Sequence, residues 1–172
     1  MIEPRKLGAA GLALAAAALL MRRAKGFPMI HDITTDTERP PAFVKILELR
    51  RGAMNPAEYG GDAVAAKQKA AYPDLVPAEL SLPPEQAFDR ALGAARSLGW
   101  AVVDADPAAG RIEATDTTAL FGFKDDVVIR VAASPVGSRV DARSVSRLGK
   151  GDLGANAARL RRFLAALKTP GS

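Results

Sequence analysis

The 172-residue sequence contains no cysteine and a single histidine, His31. Without cysteine the chain can form neither a disulfide nor a thiolate-ligated metal site, and one histidine cannot supply a multi-histidine metal site. The sequence also lacks a Gly-x-Ser-x-Gly nucleophile motif and any recognisable cofactor motif. These absences favour a protein that is not an enzyme, and they leave carboxylate and hydroxyl oxygens as the candidates for chemistry.

The chain has little net charge outside its first 25 residues. Those residues hold five basic side chains and one acidic side chain, whereas residues 26–172 hold 19 basic and 18 acidic ones. The overall charge of +5 therefore comes mostly from the N-terminus, and we expect no nucleic-acid partner. Residues 26–129 are acidic and residues 130–172 are basic, so the two parts are expected to attract each other, or the basic part to face an anionic partner.

An uncharged apolar run occupies residues 7–21, LGAAGLALAAAALLM, between Arg5-Lys6 and Arg22-Arg23. As a helix it would measure roughly 22 Å, against about 30 Å for the hydrocarbon core of a bilayer. The residues that follow are poor for signal cleavage, so we favour an uncleaved membrane anchor over a cleaved signal peptide or a soluble apolar helix. The flanking charges do not fix the orientation. From the signal-like N-terminus we expect export to the periplasmic side of a bacterial inner membrane.

The remaining length suits one domain. We predict a membrane segment at 1–26 and a globular domain at 27–172. Within that domain, residues 27–83 are predicted to form an irregular arm with a short helix from Asp62 to about Ala71, and residues 84–168 to form the core.

The core has helical periodicity at both ends and alternation between them. Apolar residues recur at helical spacing from Pro84 to Gly99 and again after Gly151 or Asp152. The second helix is expected to bury one apolar stripe and to expose Arg159, Arg161 and Arg162; the stripe is Leu153, Ala157, Leu160, Leu164 and Leu167. Four segments between the helices read as half-buried strands: 100–104, 111–117, 127–131 and 139–144. The prediction is an α+β two-layer sandwich, an antiparallel sheet of about four strands covered by helices, with the arm wrapped over it.

Three segments together resemble one known family. They are HDITTDTERPPAF at 31–43, GRIEATDTTALFGFKDDVVIRV at 110–131 and GSRVDARSVSRLGKGDLGANAARLRRFLAAL at 137–167. In combination they are similar to an uncharacterised bacterial family, the domain of unknown function 1499, over roughly residues 30–168. The resemblance implies a small domain, often near an N-terminal membrane segment, and it implies no chemistry.

The first candidate site is a row of oxygen-bearing side chains in the arm. In an extended strand Asp32, Thr34 and Asp36 share one face, and their oxygens are suitable ligands for a divalent cation. The alternative is that they satisfy backbone N–H groups in a turn-rich arm. His31, the neighbouring residue, is expected to form hydrogen bonds in the arm rather than to act as a base.

The second candidate site is the segment between two predicted strands, which is too long for a tight hairpin. Long ordered loops often carry function, so we predict a lip that binds a ligand or partner. The aromatic rings would supply apolar contact, the lysine a positive charge and the aspartates acceptors; the residues are Asp116, Thr117, Thr118, Phe121, Phe123, Lys124, Asp125 and Asp126. The alternative is that the rings plug one end of the core and the aspartates fix the turn.

The third candidate site is a row of arginines with a spacing of four on one strand face. With a neighbour on the next strand it would form a basic patch for anionic phosphate headgroups, made of Arg130, Arg139, Arg143 and Arg147. The alternative is cross-strand pairing with Glu113 and Asp141. The glycines at 149–154 fit no phosphate-loop motif, and a turn ending in an Asp152 cap accounts for them.

The sequence favours a non-enzymatic, membrane-anchored envelope domain that binds a protein or lipid partner. One alternative is a hydrolase or small-ligand binder with an Asp/Thr oxygen-ligand site, with or without a divalent cation, drawn from Asp32, Asp36, Asp116, Asp125 and Asp126. Another alternative is a purely structural assembly factor. No cofactor is assigned.

Overall fold

The structure is a computed structural model that describes residues 26–118 and 121–168. Its α-helices and strands in chain order are β1 (Asp32–Thr34), α1 (Asp62–Ala71), β2 (Ala78–Leu80), α2 (Pro84–Ser97), β3 (Ala101–Asp106), β4 (Arg111–Thr117), β5 (Lys124–Ser134), β6 (Gly137–Ser146) and α3 (Ala155–Lys168). A single 3₁₀ turn, Glu48–Arg50, lies between β1 and α1. The predicted membrane segment lies outside the described residues. Within those ranges, no helix is both long and apolar enough to cross a membrane.

The strands form one antiparallel sheet in the order β1-β6-β5-β4-β3, and β2 pairs with β6 beside β1. The predicted α+β class and antiparallel sheet are confirmed, but the sheet has six strands and not about four. The two strands missed by the prediction, β1 and β2, have three residues each. Segments this short show no alternation, and their partner β6 lies far along the chain, so no local pattern could reveal them.

One face of the sheet, the helix face, carries the larger core. Ile112, Val127 and Ile129 point from the strands toward α2 and α3, where Phe88, Leu160 and other apolar side chains are buried against them. The Trp100 ring stacks on Phe163 of α3 with ring centroids 5.6 Å apart. This is the helix-covered sheet that the periodicity predicts.

The two helices begin and end for recognisable reasons. Pro84 opens α2, where its missing N–H leaves no intrahelical bond unmade, and Gly99 ends it at a φ of 79°. The helix α3 begins at Ala155, three residues later than Asp152, whose carboxylate accepts the N–H groups of Gly154 and Asn156.

The opposite face, the arm face, is covered by the irregular segment 36–60. Phe43 and Ile46 of this segment pack on Val128 and Val145 in a second, smaller apolar cluster. Beside the sheet, Gln68 of α1 closes the free edge of β1, because its amide accepts the Thr34 N–H and donates to the Thr34 carbonyl. A buried edge strand needs such partners for its backbone groups.

Candidate functional site

The arginine row lies on the arm face, and each of its members is engaged by a carboxylate. Arg143 forms a two-point ion pair with Asp32, with Nε–Oδ1 at 2.9 Å and Nη2–Oδ2 at 2.7 Å. The same guanidinium donates to the Pro41 and Ala57 carbonyls and lies over the Phe43 ring. Arg143 is only 3% exposed, so the prediction that it faces phosphate headgroups is wrong.

Two further arginines share two aspartates next to this pair. Arg130 and Arg139 each contact both Asp36 and Asp141, at distances of 2.8 to 3.1 Å. Burial disfavours the charged form of Asp36, but hydrogen bonds from the Arg39 and Glu38 amides and from Arg130 outweigh it and lower the pKa of Asp36. The four charges cancel, and the predicted basic patch is therefore neutralised.

The fourth arginine of the row also has its own partner. Arg147 and Arg50 both hold the Asp126 carboxylate, at 2.8 and 2.6 Å, and Thr115 donates a hydroxyl hydrogen bond to it. The hydrogen bond to Asp126 raises the pKa of Arg147. Asp126 is fully buried, so it is a structural counter-ion and not a lip residue open to a ligand.

The cross-strand alternative holds for Asp141, which pairs with Arg130 of the neighbouring strand, and is wrong for Glu113. Glu113 contacts Arg111 on its own strand, and its two oxygens also accept the N–H groups of Val44, Lys45 and Ile46. A fully buried carboxylate therefore fastens the arm to the sheet.

The Asp/Thr row of the arm is satisfied within the protein. Asp32 is occupied by Arg143, the Thr34 hydroxyl accepts the Asp36 N–H, and Asp36 accepts the N–H groups of Glu38 and Arg39. Thr34 and Asp36 therefore follow the alternative interpretation, in which these side chains accept backbone N–H groups of the arm. Among the residues the structure describes, no group of three or more acidic, histidine or cysteine side chains is arranged to hold a metal ion.

The five aspartates proposed to surround a cation do not meet. Asp32, Asp36 and Asp126 lie on the arm face with their arginines, whereas Asp116 and Asp125 point to the helix face. The sheet itself separates the two groups, so the single oxygen-ligand site is wrong as predicted.

Asp116 and Asp125 instead meet a buried arginine that the sequence analysis placed in solvent. The Arg159 side chain of α3 contacts Asp116 at 2.7 Å and Asp125 at 2.6 Å, and it also donates to Ser144 Oγ at 3.0 Å. Arg159 is 2% exposed. The sequence signal for a buried Arg159 was its position one turn after Asn156, beside the apolar stripe. In the structure, the Asn156 side chain forms hydrogen bonds with Ser144, Ser146 and Arg159.

An open cleft lies immediately beside this cluster, and we call it the Phe–Leu cleft. Its volume is about 310 Å³. Phe121 and Phe123 form one wall and Leu148 and Leu153 the other; the polar lining residues are Thr118, Asp125, Ser146 and Asp152. All four apolar side chains are exposed, from 49% for Phe123 to 69% for Phe121.

The two phenylalanines of the cleft do not plug the core. Their rings stack on each other, with centroids 5.5 Å apart, and both face solvent. The loop is held below them by Thr118, whose hydroxyl accepts the Phe123 N–H at 2.9 Å. Thr117 and Lys124 pair through the ends of β4 and β5, with both side chains exposed. The alternative in which the rings fill the end of the core is wrong.

Leu153 is the unexpected member of the opposite wall. The helical stripe predicted it to be buried, but it lies before α3 and is 62% exposed. Its φ of 52° is in the left-handed region, which is uncommon for a branched apolar residue. Next to it, burial raises the pKa of Asp152, and the amide hydrogen bonds from Gly154 and Asn156 offset this only in part.

Comparison with known proteins places the chain in a family. None of the curated proteins matches it. Among solved structures, the crystal structure of protein MLL2253 from Mesorhizobium loti is 16% identical, and the alignment covers 54% of this chain and 90% of that one with a TM-score of 0.42. The model of the family described as protein of unknown function (DUF1499) matches residues 32–167. Because that match spans most of the sequence, the chain belongs to the DUF1499 family.

Proposed function

We propose that this chain is a non-enzymatic, membrane-anchored domain of a bacterial cell envelope, on the periplasmic side, that binds a protein or lipid partner at the Phe–Leu cleft. The observation that carries the proposal is the pair of exposed, stacked rings of Phe121 and Phe123 facing exposed Leu148 and Leu153 across an open cleft. Exposed apolar side chains grouped around a concave surface are typical of interaction sites.

The polar groups of the cleft support binding rather than turnover. Asp125 is held by Arg159 at 2.6 Å, and the Asp152 carboxylate accepts two amides at the start of α3. Both carboxylates are therefore already engaged by donors of the protein itself. The apolar run at 7–21 supports the anchored location.

Site-specific photo-crosslinking of the full-length chain in living cells tests this proposal. A photoreactive amino acid is placed at Phe123, in the cleft, and as a control at Val136, a similarly exposed apolar residue at the opposite end of the sheet. We expect a lipid adduct or one discrete protein adduct from position 123 in the membrane fraction, and none from position 136. Equal adduct patterns from both positions would show that the cleft binds nothing specifically.

A further inference from the structure

The exposed apolar surface extends beyond the Phe–Leu cleft toward the start of the described chain. Phe27 lies against Gly154, since a Cβ added to this glycine would be 2.5 Å from the Phe27 ring. Met29 lies against Gly151, since a Cβ added there would be 3.2 Å from the Met29 sulfur. Met29 is 65% exposed. Glycines 151 and 154 flank Leu153, so Phe27 and Met29 lie against the same segment that carries Leu153 into the lining of the cleft.

This surface lies close to the apolar run of the sequence. Phe27 follows Met21, the last residue of that run, by only six positions. Six residues span at most about 20 Å even when fully extended. A membrane that held residues 7–21 would therefore lie within about 20 Å of Phe27, whichever conformation the linking residues adopt.

Two lysines flank the apolar surface, while the carboxylates that line the cleft are engaged within the protein, Asp125 by Arg159 and Asp152 by two backbone N–H groups. Lys124 directly follows Phe123 in the sequence, and Lys150 precedes Leu153 by three residues. Both lysine side chains are exposed. Neither forms an ion pair within residues 26–118 and 121–168, in contrast to the arginines of the arm face. Cationic side chains next to exposed apolar ones suit the headgroup region of an anionic leaflet.

We infer that the surface formed by Phe27, Met29, Phe121, Phe123, Leu148 and Leu153, with Lys124 and Lys150 beside it, docks on the anionic phospholipid surface of the membrane that anchors the chain. This inference rests on the proposed function and commits its partner to lipid. Leu153 supports it most directly, because a strained backbone presents an apolar side chain that is 62% exposed.

The absence of cysteine makes the test clean, since one introduced cysteine is the only site for a label. The full-length Leu153→Cys variant is spin-labelled and reconstituted into vesicles of phosphatidylcholine with phosphatidylglycerol; Val136→Cys is the control. Both residues are exposed, so the fold should accept either label. We expect the label at 153 to be several-fold less accessible to an aqueous nickel complex, and more accessible to oxygen, than the label at 136.

The charge dependence provides the second arm of the test. Replacing Lys124 and Lys150 by glutamate should return the label at 153 to water in vesicles containing phosphatidylglycerol. Equal aqueous accessibility at 153 and 136 in the parent chain would overturn the inference. If crosslinking from position 123 still gave a discrete protein adduct, the proposed function would stand with a protein partner; if it gave neither a protein nor a lipid adduct, the proposed function would fail as well.

Discussion

Asp32 and Arg143 join the start of the described chain to the last strand through two hydrogen bonds of 2.7 and 2.9 Å. Both side chains are less than 5% exposed, and 111 residues separate them in sequence. Two parallel N–H···O bonds of this kind fix the relative orientation of the groups as well as their distance. The pair therefore sets the register of β1 against β6.

Removal of one partner from this pair should be strongly destabilising. Asp32→Ala leaves the Arg143 guanidinium buried without its counter-ion, and we expect the free energy of unfolding to fall by about 3–5 kcal/mol. Urea denaturation followed by circular dichroism measures the change. Asp74→Ala is the matched control, because its pair with Arg161 is exposed and should contribute less than about 1 kcal/mol. Similar losses from the two variants would contradict this assignment.

Glu113 should stabilise both the whole fold and the local attachment of the arm to the sheet. Glu113→Ala removes the acceptor of three backbone N–H groups, at Val44, Lys45 and Ile46, and we expect a loss of at least about 2 kcal/mol. Hydrogen exchange should accelerate at these three amides before it accelerates in the strands. Glu79→Ala, which removes an exposed acceptor of Ser134, should leave the exchange of residues 44–46 unchanged.

Leu153→Gly should increase stability. Glycine removes the cost of a branched residue in the left-handed region, which is about 1–2 kcal/mol. The greater conformational entropy of glycine in the unfolded chain offsets about 0.5–1 kcal/mol of that gain. We expect a net gain of about 0.5–1 kcal/mol in the free energy of unfolding. Leu148→Gly is the control, since Leu148 is also exposed but has no positive φ, and it should give no gain. A loss of stability in Leu153→Gly would mean that the side chain is packed in the folded protein.

Asp36 should make the fold sensitive to acid. Its folded-state pKa lies below the ordinary value of 3.8, so the folded protein holds this proton less tightly than the unfolded chain. Its contribution to stability is present above pH 3.8 and is lost as the pH falls through the lowered folded-state pKa. Urea denaturation at a series of pH values should show a weaker acid dependence in Asp36→Asn than in the parent chain.

Asp152 should act with the opposite sign. Its pKa is raised by burial, so the folded state binds the proton more tightly, and stability falls as the pH rises from 3.8 through the raised value. Asp152→Asn should remove this decline. Matching pH profiles for Asp36→Asn and Asp152→Asn would contradict at least one of the two pKa directions.

The fold could be predicted where the chain repeats a local pattern. The strand over 111–117 and the helix from Pro84 have the bounds that alternation and helix-end chemistry indicate. Leu153 shows the limit of such patterns, since its spacing matches the α3 stripe although α3 begins two residues later. Periodicity cannot detect the Asp152 turn that displaces the helix start.

The sequence could predict which sheet face the charged residues occupy, but not which residues form ion pairs with them. A spacing of four does place Arg139, Arg143 and Arg147 on one sheet face. Their partners Asp32, Asp36 and Asp126 come from the arm and from a neighbouring strand, and only the tertiary fold brings them together. The prediction that Arg159 faces solvent was wrong for the same reason. A charged residue beside an apolar stripe is expected to be solvated, and only the tertiary fold brings the distant carboxylate of Asp116 into contact with Arg159.

The number of strands that pair with β6 determines when folding can finish during synthesis, because β1, β2 and β5 all form hydrogen bonds with it. Residues 32–34 and 78–80 both await the strand that ends at Ser146. At typical rates of synthesis, on the order of ten seconds pass between the appearance of β1 and that of its partner. During this interval the nascent chain carries two unpaired strand segments, so a chaperone that shields residues 32–80 would act before the C-terminal helix emerges.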